Sequence, residues 1–232
     1  MIVAQVEIRE RSGDASCVAD NGFCPNWIAD NFDRYVDPFW QHVYLTVVAV
    51  AIGFAISFAL ALLAHRRRRL TGPIIQVTGI LYTLPSLAVF FILQPVTGRG
   101  NTTALIALVS YTLLILFRNI IAGLDNVPRE TKHAGLGMGL TARQLLWRVE
   151  LPLALPEIMA GLRIAVTTTV GLTALVFLAG AGGLGEAIFR DLQFRSNVVV
   201  AGGLCVLLAV VLDIVVLALQ KALTPWTRAA AR

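Results

Sequence analysis

Five apolar runs, each close to the length needed to cross a hydrocarbon core, dominate this chain: Val43 to Ala64, Pro73 to Leu93, Thr102 to Leu124, Glu157 to Ala179 and Val198 to Gln220. A helix needs about twenty predominantly apolar residues for that crossing. Lipid offers no partner to an unpaired backbone N–H or C=O, and five isolated runs cannot close a barrel, so each run is predicted as a helix. Apolar residues make up 57% of the chain and charged residues 14%, a balance that suits an integral membrane protein. The expectation is therefore an all-α, polytopic membrane protein with five transmembrane helices. Pro85 should kink the second run. No soluble linker or low-complexity segment separates the runs.

The net charge of +5 does not point to nucleic acid, because the positive residues sit at span edges rather than along one stripe. Their distribution sets an orientation instead. One side carries Arg66 to Arg69, Arg129, Lys132, Arg143, Arg148, Lys221, Arg228 and Arg232; the other carries Arg9, Arg11, Arg34, Arg99, Arg190 and Arg195. The first set is larger and closer to the spans, which places it in the cytoplasm. The N-terminus is then outside and the C-terminus inside. Met1 to Glu10 mixes apolar and acidic residues without the apolar core of a cleavable signal peptide. Cys17 and Cys24 can pair in an external segment, whereas Cys205 lies in an apolar run and reads as packing. Residues 1–41 form an N-terminal segment rich in acidic side chains. Within it Ile28, Phe32, Tyr35, Val36, Phe39 and Trp40 recur at helical spacing, which fits either an amphipathic helix on the membrane surface or a soluble helix with one greasy side. Residues 42–223 form the transmembrane domain, and 224–232 a cytoplasmic tail.

Between the third and fourth runs lies a long polar interruption, Asp125 to Pro156. It reads as a finger of two short helices. Pro128 is tolerated in a first helical turn, and Gly139 is placed to end that helix in the left-handed conformation. Thr141 with Gln144 makes a capping box for a second helix. Pro152 and Pro156 are expected to end or kink it before the next run.

The finger resembles the "EAA" loop of permease subunits of bacterial ATP-binding-cassette importers. His133-Ala134-Gly135 stand where Glu-Ala-Ala is expected, and Gly139, Val149 and Leu151-Pro152 keep the motif's register. His133 replaces the motif glutamate and Gly135 its second alanine. The words Gly-Met-Gly-Leu-Thr and Val-Glu-Leu-Pro-Leu-Ala-Leu-Pro resemble the branch that imports osmoprotectants such as glycine betaine, choline or carnitine. The resemblance covers about Trp40 to Leu223. It implies the type I permease fold, a second permease copy or sister permease, two cytoplasmic ATP-binding subunits and an external solute-binding protein. It also implies that Lys132 to Thr141 enter a cleft of the ATPase, with Leu136, Met138 and Leu140 as buried contacts, Lys132 and Arg143 at the rim, and Ala134 and Gly137 in the same loop. The alternative is that these residues only pack the finger on its own spans.

The chain contains no Gly-x-x-x-x-Gly-Lys-Ser/Thr loop, so ATP and magnesium are expected to be bound by the partner ATPase. His42, His65 and His133 are scattered and imply no metal site. No catalytic set is suggested. Among the charges inside the runs two stand out, Arg118 and Asp213, each about 10 Å deep at a rise of about 1.5 Å per residue. They either pair and tie the third span to the fifth, or Arg118 snorkels and Asp213 finds a hydroxyl or backbone group. Thr168, Thr169 and Thr173 either line a polar route or satisfy themselves on the preceding turn. The small-residue run Ala179 to Glu186 allows tight turns and close approach. An aromatic cage would hold a quaternary ammonium, but Trp27, Trp40, Trp147 and Trp226 cannot form one, which assigns specificity chiefly to the binding protein. Competing readings keep the machine and change the cargo to an amino acid or another organic solute, or make the chain an autonomous channel, secondary carrier or membrane enzyme.

Overall fold

A computed structural model describes residues 17–18 and 21–226, and no strand occurs among them. Helix α1 (Pro25–Asp30) and a 3-10 turn (Phe32–Tyr35) lead straight into α2 (Val36–Arg66). The separate amphipathic helix expected before the first span is thus divided. Asn31 breaks it at φ −117°, ψ 15°, and Val36, Phe39 and Trp40 become the opening turns of the spanning helix. Tyr35 is buried because its hydroxyl donates to Asn197 Oδ1 at 2.8 Å.

The chain reverses through a 3-10 turn (Arg68–Leu70) into α3 (Thr71–Thr83), followed by α4 (Ser86–Thr97). The two meet at 96°, so the kink expected at Pro85 is a full break. Leu84 is extended (φ −63°, ψ 134°), as steric contact with the following proline ring requires. The central rod is α5 (Asn101–Asp125). One half packs through Leu116, Phe117, Ile120 and Leu124 against Ala61, Ala64 and Ile158. The other half packs through Ala104, Ala107 and Leu108 against Leu45, Ala49, Phe90 and Val176. Contact is close enough that a Cβ at Gly53 would lie 1.9 Å from Thr112 Oγ1, and one at Gly161 would lie 2.3 Å from Asn119 Cβ. Small residues at such seams let helices approach where lipid supplies no hydrophobic drive.

After α5 come α6 (Arg129–Gly137), α7 (Ala142–Leu145), a π turn (Leu146–Glu150) and α8 (Leu151–Thr173). A 3-10 turn (Val176–Ala179), α9 (Leu184–Arg190) and α10 (Arg195–Leu223) complete the order. Of the five expected spans, α2, α5 and α10 are long and apolar enough to cross a membrane, and the bent α3–α4 pair adds a fourth if it counts as one span. Helix α8 is not among them; it carries Glu157, Arg163 and four threonines.

Residues 174–183 are largely non-helical, yet their carbonyls are not orphaned. Gln94 donates to Leu178 O at 2.9 Å, Gln41 to Ala181 O at 3.0 Å and the Gly100 N–H to Ala179 O at 2.7 Å. His42 Nε2 lies 3.0 Å from Val170 O near the end of α8. Irregular backbone is tolerated at such a place because protein surrounds it. At the same end, Cys17 and Cys24 form a disulfide. The Cys24 N–H donates to Ser196 Oγ at 2.7 Å, and Trp27 packs edge-on to Phe194. The N-terminal segment is thereby stapled to the start of α10.

Candidate coupling finger and intramembrane charges

The finger folds as its sequence predicts up to Glu150. Pro128 stands at the N-cap of α6, one position before the first helical residue. The helix closes on Gly139, whose φ of +85° favours glycine. Met138 N–H donates to Ala134 O at 3.0 Å and Leu140 N–H to Gly135 O at 3.2 Å, which satisfies the last carbonyls. Thr141 and Gln144 then make the expected capping box: Gln144 N–H donates to Thr141 Oγ1 at 3.3 Å and Thr141 N–H to Gln144 Oε1 at 2.9 Å. Gly135 is buried at the crook, where a Cβ would lie 2.6 Å from Leu145 Cδ1. An alanine there would require the end of the Leu145 side chain to shift.

Beyond Glu150 the expected end of the second helix does not occur. Pro152 and Pro156 neither end nor separate the second helix, because α7, the π turn and α8 run without a gap from Ala142 to Thr173. Leu151 N–H reaches back to Leu146 O, an i to i+5 bond, so the ladder widens just before the proline that lacks a donor. Pro152 follows the wide turn directly, so its missing N–H falls where the ladder has already shifted register. Val149, Leu151 and Pro152 are half-buried along this rod. The finger's second helix and a bundle helix are therefore one piece.

The tip is open. Leu136 is 49% exposed and Met138 77%, and His133, Ala134, Gly137, Thr141 and Arg143 are exposed as well, with Leu140 half-buried. Lys132 is not at the rim. Its Nζ donates to Leu124 O at 3.0 Å and lies 3.3 Å from Glu150 Oε1, so it serves the finger's own spans. Glu150 is the residue that sequence reasoning missed. It is 5% exposed, and its other oxygen lies 2.7 Å from His65 Nε2. One carboxylate thus joins the end of α2, the first finger helix and the π turn that leads into α8. The available signal was a single acid between Val149 and Leu151, just before the Leu-Pro. Beside it, a groove of about 510 Å³ is lined by His65, Arg66, Arg143, Leu146 and Glu150 among others. Arg68 pairs with Asp125 at the same end.

The expected Arg118–Asp213 pair does not form. Asp213 is held by Arg163, Nε to Oδ1 at 2.7 Å and Nη2 to Oδ2 at 2.8 Å. Helix α10 packs on α8, which puts Arg163, about halfway along α8, opposite the carboxylate. The two-point geometry neutralises both charges. Asp213→Ala alone should strand the guanidinium and reduce recovery of assembled protein severalfold, whereas Arg163→Met with Asp213→Leu should restore most of it; size-exclusion yield after membrane extraction reads both. Arg118 is exposed on α5 and makes no ion pair or hydrogen bond with the described residues. The threonines also divide. Thr169 and Thr173 are buried and bond back to Ala165 O at 2.6 Å and Thr169 O at 2.7 Å. Thr46 donates to Thr173 Oγ1 at 3.1 Å, which closes the α2–α8 seam. Thr168 also bonds back, to Ile164 O and to Ala165 O, and lies on the exposed face of α8. Among the described residues, no group of three or more His, Cys, Asp or Glu side chains is placed to hold a metal ion.

Comparison with known proteins agrees with this architecture. Residues 49–229 match the family described as "Binding-protein-dependent transport system inner membrane component". The chain is 36% identical over 202 residues to the glycine betaine/carnitine/choline transport system permease protein OpuCD of Bacillus subtilis, covering 86% of this chain and 88% of that one. It is 35% identical over 207 residues to the osmoprotectant import permease protein OsmW of Salmonella typhimurium, covering 86% and 96%. Among solved structures, a chain of the MetNI methionine ABC transporter superposes with a TM-score of 0.69 at 23% identity, over 82% of this chain and 94% of that one. That likeness is one of fold.

Proposed function

This chain belongs to the family of binding-protein-dependent transport system inner membrane components, and we propose that it forms half of the translocation route for a quaternary ammonium osmoprotectant such as glycine betaine, carnitine or choline. The observation that carries the mechanism is the unbroken rod from Ala142 to Thr173. Two cytoplasmic ATP-binding subunits hold ATP and magnesium and receive the exposed finger tip around Leu136 and Met138. Their closure displaces the tip, and the rod carries that displacement to the bundle, since no loop separates the finger's second helix from α8. A second permease copy or sister permease completes the route, and an external binding protein delivers the solute. The chain itself is the non-catalytic, multi-pass subunit in the bacterial cytoplasmic membrane. The Cys17–Cys24 disulfide supports an N-terminus outside, where oxidised pairs persist, and the positive-inside count supports a cytoplasmic finger and C-terminus.

The test is uptake into vesicles holding this chain with its ATPase and binding protein, against betaines, choline, carnitine and amino acids. Accumulation of quaternary ammonium solutes that requires ATP hydrolysis is expected. Gly139→Pro should abolish it, because proline cannot adopt the φ of +85° at the finger's corner. Uptake that persists with a catalytically dead ATPase would make the chain a channel or carrier instead.

A further inference from the structure

Two charges in the bundle have no partner among the described residues, and they lie on neighbouring helices. Arg118 on α5 is exposed, Glu157 on α8 is half-exposed, and neither makes an ion pair or hydrogen bond with the described residues. Their relative position follows from the glycine seams. A Cβ at Gly123 would lie 3.1 Å from Glu157 Cβ and 3.2 Å from Ala154 Cβ, and one at Gly161 would lie 2.3 Å from Asn119 Cβ. The two helices are therefore antiparallel here, with Glu157 level with Gly123 and Arg118 about 7–8 Å further along the axis. At about 100° per residue, Arg118 turns away from the α8-facing Asn119 to one flank of the seam. Glu157 turns away from Gly161 and Ala154 to that same flank. Ile164, Thr168 and Gly171 follow Glu157 along it, and all three are exposed.

Arg118 lies within its span, where an unpaired charge is costly if lipid covers it, so it is expected to face a wet cavity or a protein partner; Glu157, level with Gly123, stands toward the finger end of the same flank. The Arg163–Asp213 pair shows that this chain neutralises charge where α8 meets α10. Leaving Arg118 on α5 and Glu157 on α8 open gives a guanidinium and a carboxylate spaced along one flank of the α5–α8 seam. A small zwitterion carries the complementary set, a carboxylate at one end and a quaternary ammonium at the other.

We propose that Arg118 and Glu157 line the translocation route and form a way-station for a zwitterionic solute, Arg118 taking its carboxylate and Glu157 its cationic end. This rests on the importer reading above, and it adds a specificity role within the permease itself.

The test has two arms in the complete transporter. In the first, Arg118→Cys and Glu157→Cys are placed in a Cys205→Ser background and treated with a membrane-impermeant methanethiosulfonate reagent in different nucleotide states. Both positions should be labelled, with a rate that changes with the nucleotide. No labelling in any state would overturn the proposal, placing the charges against lipid or a neighbouring permease. In the second arm, Arg118→Met should lower glycine betaine uptake roughly tenfold or more while sparing choline, which has no carboxylate. Glu157→Gln should lower both. Equal losses of both solutes in Arg118→Met, or none, would overturn the assignment. A wild-type complex that imports neither solute would overturn the cargo reading and the zwitterion role with it, while labelling would still decide whether the two charges face water.

Discussion

Glu150→Leu is expected to unseat the finger. The carboxylate is 5% exposed and holds His65 Nε2 at 2.7 Å and Lys132 Nζ at 3.3 Å. Removing it leaves the Lys132 ammonium largely enclosed with only Leu124 O as acceptor, at 3.0 Å. Breaking a buried charged contact from one side costs about 3–5 kcal/mol, a large fraction of a domain's net stability. Glu150→Gln keeps an acceptor and should cost about 1–3 kcal/mol. Pairing Glu150→Leu with Lys132→Met should recover a good part of the loss, since no stranded charge remains. Thermal unfolding of the purified complex in nanodiscs orders the variants as wild type, Gln, double and Leu. ATP-coupled uptake should fail in the Leu variant even where protein is recovered, because the finger's base then has no fixed angle. A Leu variant as stable as wild type would show that hydrophobic packing alone sets that angle.

Local signals were legible along the chain where they could act alone. The corner at Gly139 and the capping box at Thr141 need only neighbours within a turn, so the sequence specifies them without tertiary context. What failed involved elements distant in sequence. Asp213 selects its partner by which helix lies opposite, and periodicity cannot say whether α10 meets α5 or α8. Arg163 was as visible as Arg118, but depth in the span alone does not pair charges. Pro85 and Pro152 show the same limit in opposite directions. At Pro85 the preceding Leu84 goes fully extended and the run becomes two helices at 96°. At Pro152 a wide turn absorbs the missing donor, and the helix continues. Proline chemistry is identical at both sites; the surrounding backbone decides.

Gly185→Ala should be as damaging as any single methyl added to this chain. A Cβ there would stand 1.7 Å from the Ala174 carbonyl oxygen and 2.5 Å from its carbon. Those atoms are backbone at the end of α8, so no side-chain rotation relieves the overlap. Either α9 lifts off or the segment 174–183 shifts, and overpacking of this kind costs about 1–3 kcal/mol or more. The damage should spread through the hydrogen bonds that α9 anchors. Asn197 donates to Ala187 O at 2.7 Å and accepts from the Tyr35 hydroxyl at 2.8 Å; a displaced α9 strips the first bond and loosens the second. Ser196, the residue before it, carries the disulfide-closed N-terminal segment through the Cys24 N–H. The expected result is loss of assembled protein together with faster reduction of the Cys17–Cys24 bond by external reductant. Gly202→Ala supplies the control, because nothing lies within 4 Å of its Cβ position in the α10 interior, and there alanine should stabilise the helix by about 0.5–1 kcal/mol. Equal behaviour of the two variants would mean that α9 is not seated on the end of α8 as described.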